Sequence, residues 1–202
     1  MKKYMIGLLV TNKYGVLTRI ASLFARRGYN IDTLTVGETV NPQVSRMTIM
    51  ITGNDHDRDQ MIKQLRKLHD VHFVKEMVAE KSVCRELVLL KVATDRSNRQ
   101  EIIDAANVFR NKIIDYSTDA ITMELTGETK KLDAFIELMK EYGILELGRT
   151  GVVSLKRGDE CLDGTNSRSL KKTTITKRMT LRKRTISRKR MTSRKRTTSR
   201  KR

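Results

Sequence analysis

Aromatic residues make up 4% of the chain, tryptophan is absent, and there is a single proline. That composition excludes an aromatic-lined platform for stacking sugars or nucleobases. The two cysteines, Cys84 and Cys161, lie far apart. They form neither a disulfide framework nor a zinc spacing, which fits a reducing, cytoplasmic setting. No apolar run approaches the roughly 20 residues that span a bilayer. Met1-Lys2-Lys3 followed by Tyr4–Val10 superficially resembles a signal peptide, but the apolar stretch is short and no small-x-small cleavage site precedes Asn12-Lys13. A buried first strand is the expectation. Signatures of catalysis are missing too: there is no Walker sequence, no GxGxxG and no nucleophile elbow. His56, His69 and His72 cluster locally, and His69-Asp70-Val71-His72 is too compact to hold zinc without distant ligands. No catalytic, cofactor-binding or metal-binding residue is assigned.

Charge is plentiful but uneven. The 202 residues carry a formal net charge of +19, from 42 Lys/Arg and 23 Asp/Glu. From Asp159 onward there are 17 Lys/Arg against 3 Asp/Glu, so residues 1–158 are only modestly basic. The total points toward nucleic acid or an anionic surface. Its distribution instead separates a nearly neutral body from a basic tail.

Within the body, apolar periodicity marks the elements. Lys3–Val10 is an apolar run of β-formers, followed by Thr11-Asn12-Lys13-Tyr14-Gly15. Val16, Leu17, Ile20, Leu23 and Phe24 recur at helical spacing, and Arg26-Arg27-Gly28 is a helix ending. Ile31–Glu38 and Val44–Thr52 read as strands around an Asn41-Pro42 turn, with Met47, Ile49 and Ile51 on one face. Asp55–Asp59 opens a helix whose stripe is Met61, Ile62, Leu65 and Leu68, and Val71–Val78 closes the set. Strand, helix, strand, strand, helix, strand is the split βαβ order. It recurs: strand Arg85–Ala93, helix Ser97–Phe109, strands Lys112–Ser117 and Ala120–Gly127, helix Thr129–Tyr142 with Leu132, Phe135, Ile136, Leu138 and Met139 inward, strand Ile144–Gly148, and a possible extension at Val152–Leu155. The expected fold is α+β: two ferredoxin-like βαββαβ domains at 1–78 and 85–158, a linker at 79–84, and a disordered repetitive basic tail at 159–202. Helices on one face of each sheet leave the other face to be polar or covered by a partner.

The segment from Val10 to Ile20 is strand, glycine-containing loop and helix start. Unsatisfied N–H groups at a helix N-terminus favour an anion such as a carboxylate. Gly15 permits close backbone approach, and Asn12 offers both a donor and an acceptor. A tight strand-to-helix turn, with Asn12 bonded to local backbone, accounts for the same residues.

Asn12-x-x-Gly15-Val16-Leu17 after a first strand, in this element order, resembles an ACT domain, a small-molecule-sensing module that binds amino acids. Leu23–Ile31, Leu34-Thr35-Val36-Gly37, Ser45–Ile49, Lys63–Leu68, Asp70-Val71 and Arg85-Glu86-Leu87 resemble the regulatory small subunit of acetolactate synthase (acetohydroxyacid synthase). The second half adds Phe109-Arg110, Ile113-Ile114-Asp115, Lys131–Phe135 and Arg149-Thr150-Gly151. The resemblance covers about residues 1–158. It implies a non-catalytic subunit that activates a large subunit and confers feedback inhibition, usually by valine, in branched-chain amino-acid biosynthesis. The large subunit of that family uses thiamine diphosphate, Mg and FAD to condense pyruvate with pyruvate or 2-oxobutyrate. This chain itself is expected to bind no cofactor. By matching positions, Asn12, Gly15, Val16 and Leu17 would form an effector loop for valine or another branched-chain amino acid. Asn30 and Ile31 would complete the site from a second copy across a homodimer interface. Thr11 departs from the acidic or amide residue that many relatives carry.

Two rivals are a stand-alone ACT-type amino-acid sensor and a nucleic-acid-binding protein acting through the tail. RNA-recognition modules share the split βαβ order but stack bases on sheet aromatics. Val44–Thr52 and Ala120–Gly127 have none. The tail repeats Arg-Lys-Arg every six residues, at Arg182, Arg188, Arg194 and Arg200. It is read as a functional arm, an unselected extension or the product of a shifted frame, the last two being favoured. No specific nucleic acid and no membrane are expected as partners.

Overall fold

The structure, a computed structural model, describes residues 1–166. The tail reading falls largely on residues 167–202, outside the described residues. Residues 1–157 form one compact unit. Beyond it, residues 158–166 turn on themselves, with Cys161 N–H donating to Thr165 O and Asp163 accepting from Thr165.

The first half runs β1 (Lys2–Thr11), α1 (Val16–Arg26), β2 (Thr33–Glu38), β3 (Val44–Gly53), α2 (Asp55–Leu65) and β4 (Val71–Glu76). Its sheet order is β2-β3-β1-β4. The second half repeats the arrangement with β5 (Ser82–Ala93), α3 (Arg99–Val108), β6 (Lys112–Tyr116), β7 (Ala120–Gly127), α4 (Thr129–Met139) and β8 (Ile144–Arg149), in the order β6-β7-β5-β8. A further strand, β9 (Val153–Lys156), pairs with the first residues of β5.

Alternation explains each core. Tyr4, Ile6, Leu8 and Val10 of β1 share a face with Met47, Ile49 and Ile51 of β3. Val16, Ile20, Leu23, Phe24, Met61 and Leu65 of the helices pack on that face. In the second half Val88, Leu90 and Val92 join Ile121, Met123 and Leu125 beneath Ile102, Ala106, Leu132, Phe135 and Met139. Phe24 and Phe135 are among the largest fully buried side chains, and truncating a buried Phe costs about 3–5 kcal/mol. The helix ends obey local rules. At the end of α1, Gly28 adopts φ 70°, its N–H donates to Ala25 O and that of Tyr29 to Phe24 O. At the start of α2, Asn54 and Asp57 exchange side-chain-to-backbone hydrogen bonds as a capping box.

Several boundaries differ from the periodicity reading. Ile31 and Asp32 precede β2, and Leu68 lies past the end of α2, although Ile31 and Leu68 still pack on the core. Leu138, expected inward, is exposed, because α4 turns Phe135, Ile136 and Met139 to the sheet. Strand β5 starts at Ser82, since Ser82–Arg85 pairs with β9.

The uncovered face of the first sheet meets the chain's own return segment. Thr35 Oγ1 donates to Thr150 O at 3.1 Å and Arg46 Nη2 to Ser154 O at 2.6 Å. Gly151 has φ 79°, and a Cβ there would lie 2.9 Å from Thr35 Oγ1 and 3.2 Å from Thr33 Cβ. Only glycine fits both the backbone angle and the space. The matching face of the second sheet is mostly polar, presenting Lys91, Thr122, Glu124 and Thr126 beside a half-exposed Leu89.

Candidate functional site

The loop between β1 and α1 is anchored to the hairpin between β2 and β3. Thr11 pairs with Val44, and Asn12 N–H donates to Gln43 O at 2.8 Å. The Asn12 side chain continues this attachment: Nδ2 donates to Glu38 Oε1 and to Pro42 O, each at 2.9 Å. On the other side, Thr11 N–H donates to Asp70 O, and the Thr11 hydroxyl lies 3.1 Å from His72 Nε2. Arg19 of α1 pairs with Asp70 at 2.7 Å. The loop is therefore held from both neighbouring strand connections.

Gly15 stands at the start of α1 with φ 79°, and a Cβ there would meet nothing within 4 Å. No side chain caps α1, and its first turn holds no acidic residue. Val16 is buried in the core, Leu17 is 43% exposed and Tyr14 is fully exposed. Val16 N–H makes a long bond to Lys13 O at 3.4 Å, and an otherwise uncapped first turn leaves N–H donors at the positive end of the helix dipole. The loop has the chemistry to accept a carboxylate.

Asn30 and Ile31 follow the end of α1. Asn30 Nδ2 donates to Asp32 Oδ1 at 3.3 Å, and Ile31 packs against the core edge. Asp32 N–H donates to Met50 O, and Met50 pairs with Met5. Asn12 lies seven positions further along from Met5, so within one chain the two groups sit roughly 20–25 Å apart at strand spacing. Asn12, Gly15, Val16 and Leu17 are brought together; Asn30 and Ile31 lie at the opposite end of the same sheet. Between these ends runs β2, an edge strand.

Glu38 is a residue that sequence reasoning missed. It is 26 positions from Asn12 and ends a strand, so only the β1–β3 pairing reveals the neighbourhood. The Asn41-Pro42 turn was the available signal.

Elsewhere, a cavity of about 470 Å³ is lined by Lys3, Met5, Met50, Cys84, Lys130 and Arg157, among others, and none of the six candidate residues reaches it. Burial pushes the Cys84 thiol up, the opposite of what an activated nucleophile needs. Among the described residues no group of three or more His, Cys, Asp or Glu could hold a metal ion. None of the helices among them is long and apolar enough to cross a membrane.

Two ferredoxin-like halves, with an open strand-to-helix loop in the first, define a tandem α+β protein of the ACT-containing kind. Comparison agrees and is more specific. Residues 6–73 match the family described as the AHAS small subunit-like ACT domain, and residues 85–158 that described as the small subunit of acetolactate synthase. The chain is 47% identical over 160 residues to the probable acetolactate synthase small subunit of Methanothermobacter thermautotrophicus, covering 79% of this chain and 95% of that one. It is 46% identical over 153 residues to the acetolactate synthase small subunit of Mycolicibacterium smegmatis, covering 76% and 90%. The crystal structure of the small subunit from Thermotoga maritima superposes with a TM-score of 0.73 at 41% identity, covering 78% of this chain and 99% of that one. The chain belongs to the acetolactate synthase small-subunit family.

Proposed function

We propose that this chain is the non-catalytic regulatory subunit of a cytoplasmic acetolactate synthase. It raises the activity of a large catalytic subunit and makes that activity sensitive to valine. Thiamine diphosphate, Mg and FAD then belong to the large subunit. The effector site is built from Asn12, Gly15, Val16 and Leu17 of one copy and Asn30 and Ile31 of a second.

The observation that carries this reading is the separation of the two groups along an edge strand. A lone chain cannot close a site the size of an amino acid across roughly 20 Å. Antiparallel pairing of β2 with its copy about a two-fold axis supplies the missing half. It sets the N-terminal end of one β2, next to Asn30 and Ile31, beside the C-terminal end of the other, next to Asn12. The pairing also covers an exposed strand edge. In such a site the α-carboxylate of valine meets the N–H groups around Gly15–Leu17, and the ammonium group finds acceptors that include the Asn30 carbonyl. The branched side chain rests on apolar residues between them. Inhibition follows if the valine-bound dimer contacts the large subunit differently from the free dimer.

Gly15→Asp tests the site. The new side chain enters space that is open, because nothing lies within 4 Å of the Cβ position. Its carboxylate then occupies the ground of the ligand carboxylate. Acetolactate formation by the reconstituted complex, with and without valine, should lose its valine inhibition in the variant. Unchanged inhibition contradicts the assignment.

A further inference from the structure

The hydrogen bonds of Asn12 give it a role beyond shaping its loop, one that rests on the amino-acid site proposed for this chain. The carboxamide nitrogen has two hydrogens, and each is taken: one by Glu38 Oε1 and one by Pro42 O, both at 2.9 Å. A carboxylate and a peptide carbonyl can only accept. The carboxamide therefore has one possible orientation, with its nitrogen toward the β2–β3 hairpin, whichever way such groups are otherwise ambiguous. The backbone N–H of Asn12 is bonded to Gln43 O at 2.8 Å in the same hairpin. What remains to the Asn12 side chain is Oδ1, an acceptor with no bonded donor among the described residues.

From this geometry we infer that Glu38 is a positioning residue for effector selection: it fixes Asn12 as a hydrogen-bond acceptor, so the site demands a ligand with a free α-ammonium group. The uncapped turn of α1 supplies donors for the carboxylate, and Asn12 Oδ1 supplies an acceptor for the nitrogen. A 2-hydroxy acid of the same shape keeps the carboxylate and side chain but exchanges the charged ammonium for a neutral hydroxyl. It is a weaker donor to Oδ1. Without Glu38 the carboxamide keeps only the Pro42 contact and can turn its nitrogen toward the ligand, where a donor meets a donor.

The test is calorimetric titration of the full chain with L-valine and with 2-hydroxy-3-methylbutanoate, in the unaltered protein, Glu38→Ala and Glu38→Gln. Glu38 is exposed, so neither change opens a core. The unaltered protein should bind valine at least roughly tenfold more tightly than the hydroxy acid, the scale of one charge-assisted hydrogen bond. Glu38→Ala should weaken valine by about tenfold while leaving the hydroxy acid nearly unchanged, narrowing the ratio. Glu38→Gln, whose Oε1 still accepts from Asn12, should restore most of it. A ratio unaffected by Glu38→Ala overturns the inference, and so does a Glu38→Gln protein as impaired as Glu38→Ala, which makes charge rather than orientation decisive. Equal binding of both ligands by the unaltered protein overturns the inference but leaves an effector site in place. Binding of neither ligand removes the amino-acid reading and the inference with it.

Discussion

The two halves of the chain share one topology and treat the turn between first strand and first helix differently. After β1 the chain reaches α1 through Gly15, with no side-chain cap and no acid in the first turn. After β5, α3 has no side-chain cap either, but the turn leading into it is closed by a carboxylate of its own sequence. Asp95 Oδ1 accepts from Ser97 N–H at 2.7 Å, the Ser97 hydroxyl at 2.6 Å and Asn98 N–H at 3.0 Å. Asn98 Oδ1 in turn accepts from Asp95 N–H and the Thr94 hydroxyl. One copy has no carboxylate of its own at this turn, and the other has taken one from its own sequence. The comparison teaches that one topology allows this turn to be left open or closed by a side-chain carboxylate, and that the loop residues decide which.

Charge is handled differently as well. In the second half Glu86 is almost fully buried, its side chain 1% exposed, and Arg149 grips both its oxygens at 2.8 and 2.9 Å. Thr129 donates a further hydrogen bond, and Arg149 also reaches Asp133. These bonds, led by the one to Glu86, hold the Arg149 guanidinium more firmly protonated than usual. In the first half, Arg19 of the Arg19–Asp70 pair is 57% exposed. Arg149→Ala strands a buried carboxylate and should cost about 3 kcal/mol in urea unfolding, whereas Arg19→Ala should cost less than about 1 kcal/mol. Similar losses for the two variants would erase this contrast.

A smaller effect tests the self-filled loop. Hydrogen bonds, first from the Ser97 hydroxyl and then from the Asn98 and Ser97 N–H groups, hold the Asp95 carboxyl below its usual range. A carboxylate whose folded pKa lies below the unfolded value stabilises the fold above the unfolded pKa, about 3.9. That contribution fades as pH falls through the folded pKa. Asp95→Ala should lower the melting temperature by roughly 2–4 °C at pH 7. The gap between variant and parent should shrink toward pH 3, and a gap independent of pH would contradict the assignment.

Much of this architecture was legible because burial alternates cleanly. Met47, Ile49 and Ile51 announced β3, and Val16, Ile20, Leu23 and Phe24 announced α1, since each set faces a single core. The start of β5 was not, because Ser82 and Cys84 carry little apolar signal and pair with a segment some 70 positions away. Leu138 misled because one apolar residue on a helix does not define its face. The loop residues Asn12 and Gly15 stood out through their spacing and a family resemblance. Glu38 did not, because its link to Asn12 exists only once β1 and β3 pair. Nor could the sequence order show that Asn30 and Asn12 lie at opposite ends of the sheet, a consequence of strand register.

The most direct measurement is the number of valine molecules bound per chain by the full protein, with Gly15→Asp alongside. A site shared between two copies occurs twice in a dimer, so the account predicts one valine per chain and none in the Gly15→Asp protein. Two valines per chain, or binding indifferent to Gly15→Asp, would contradict it.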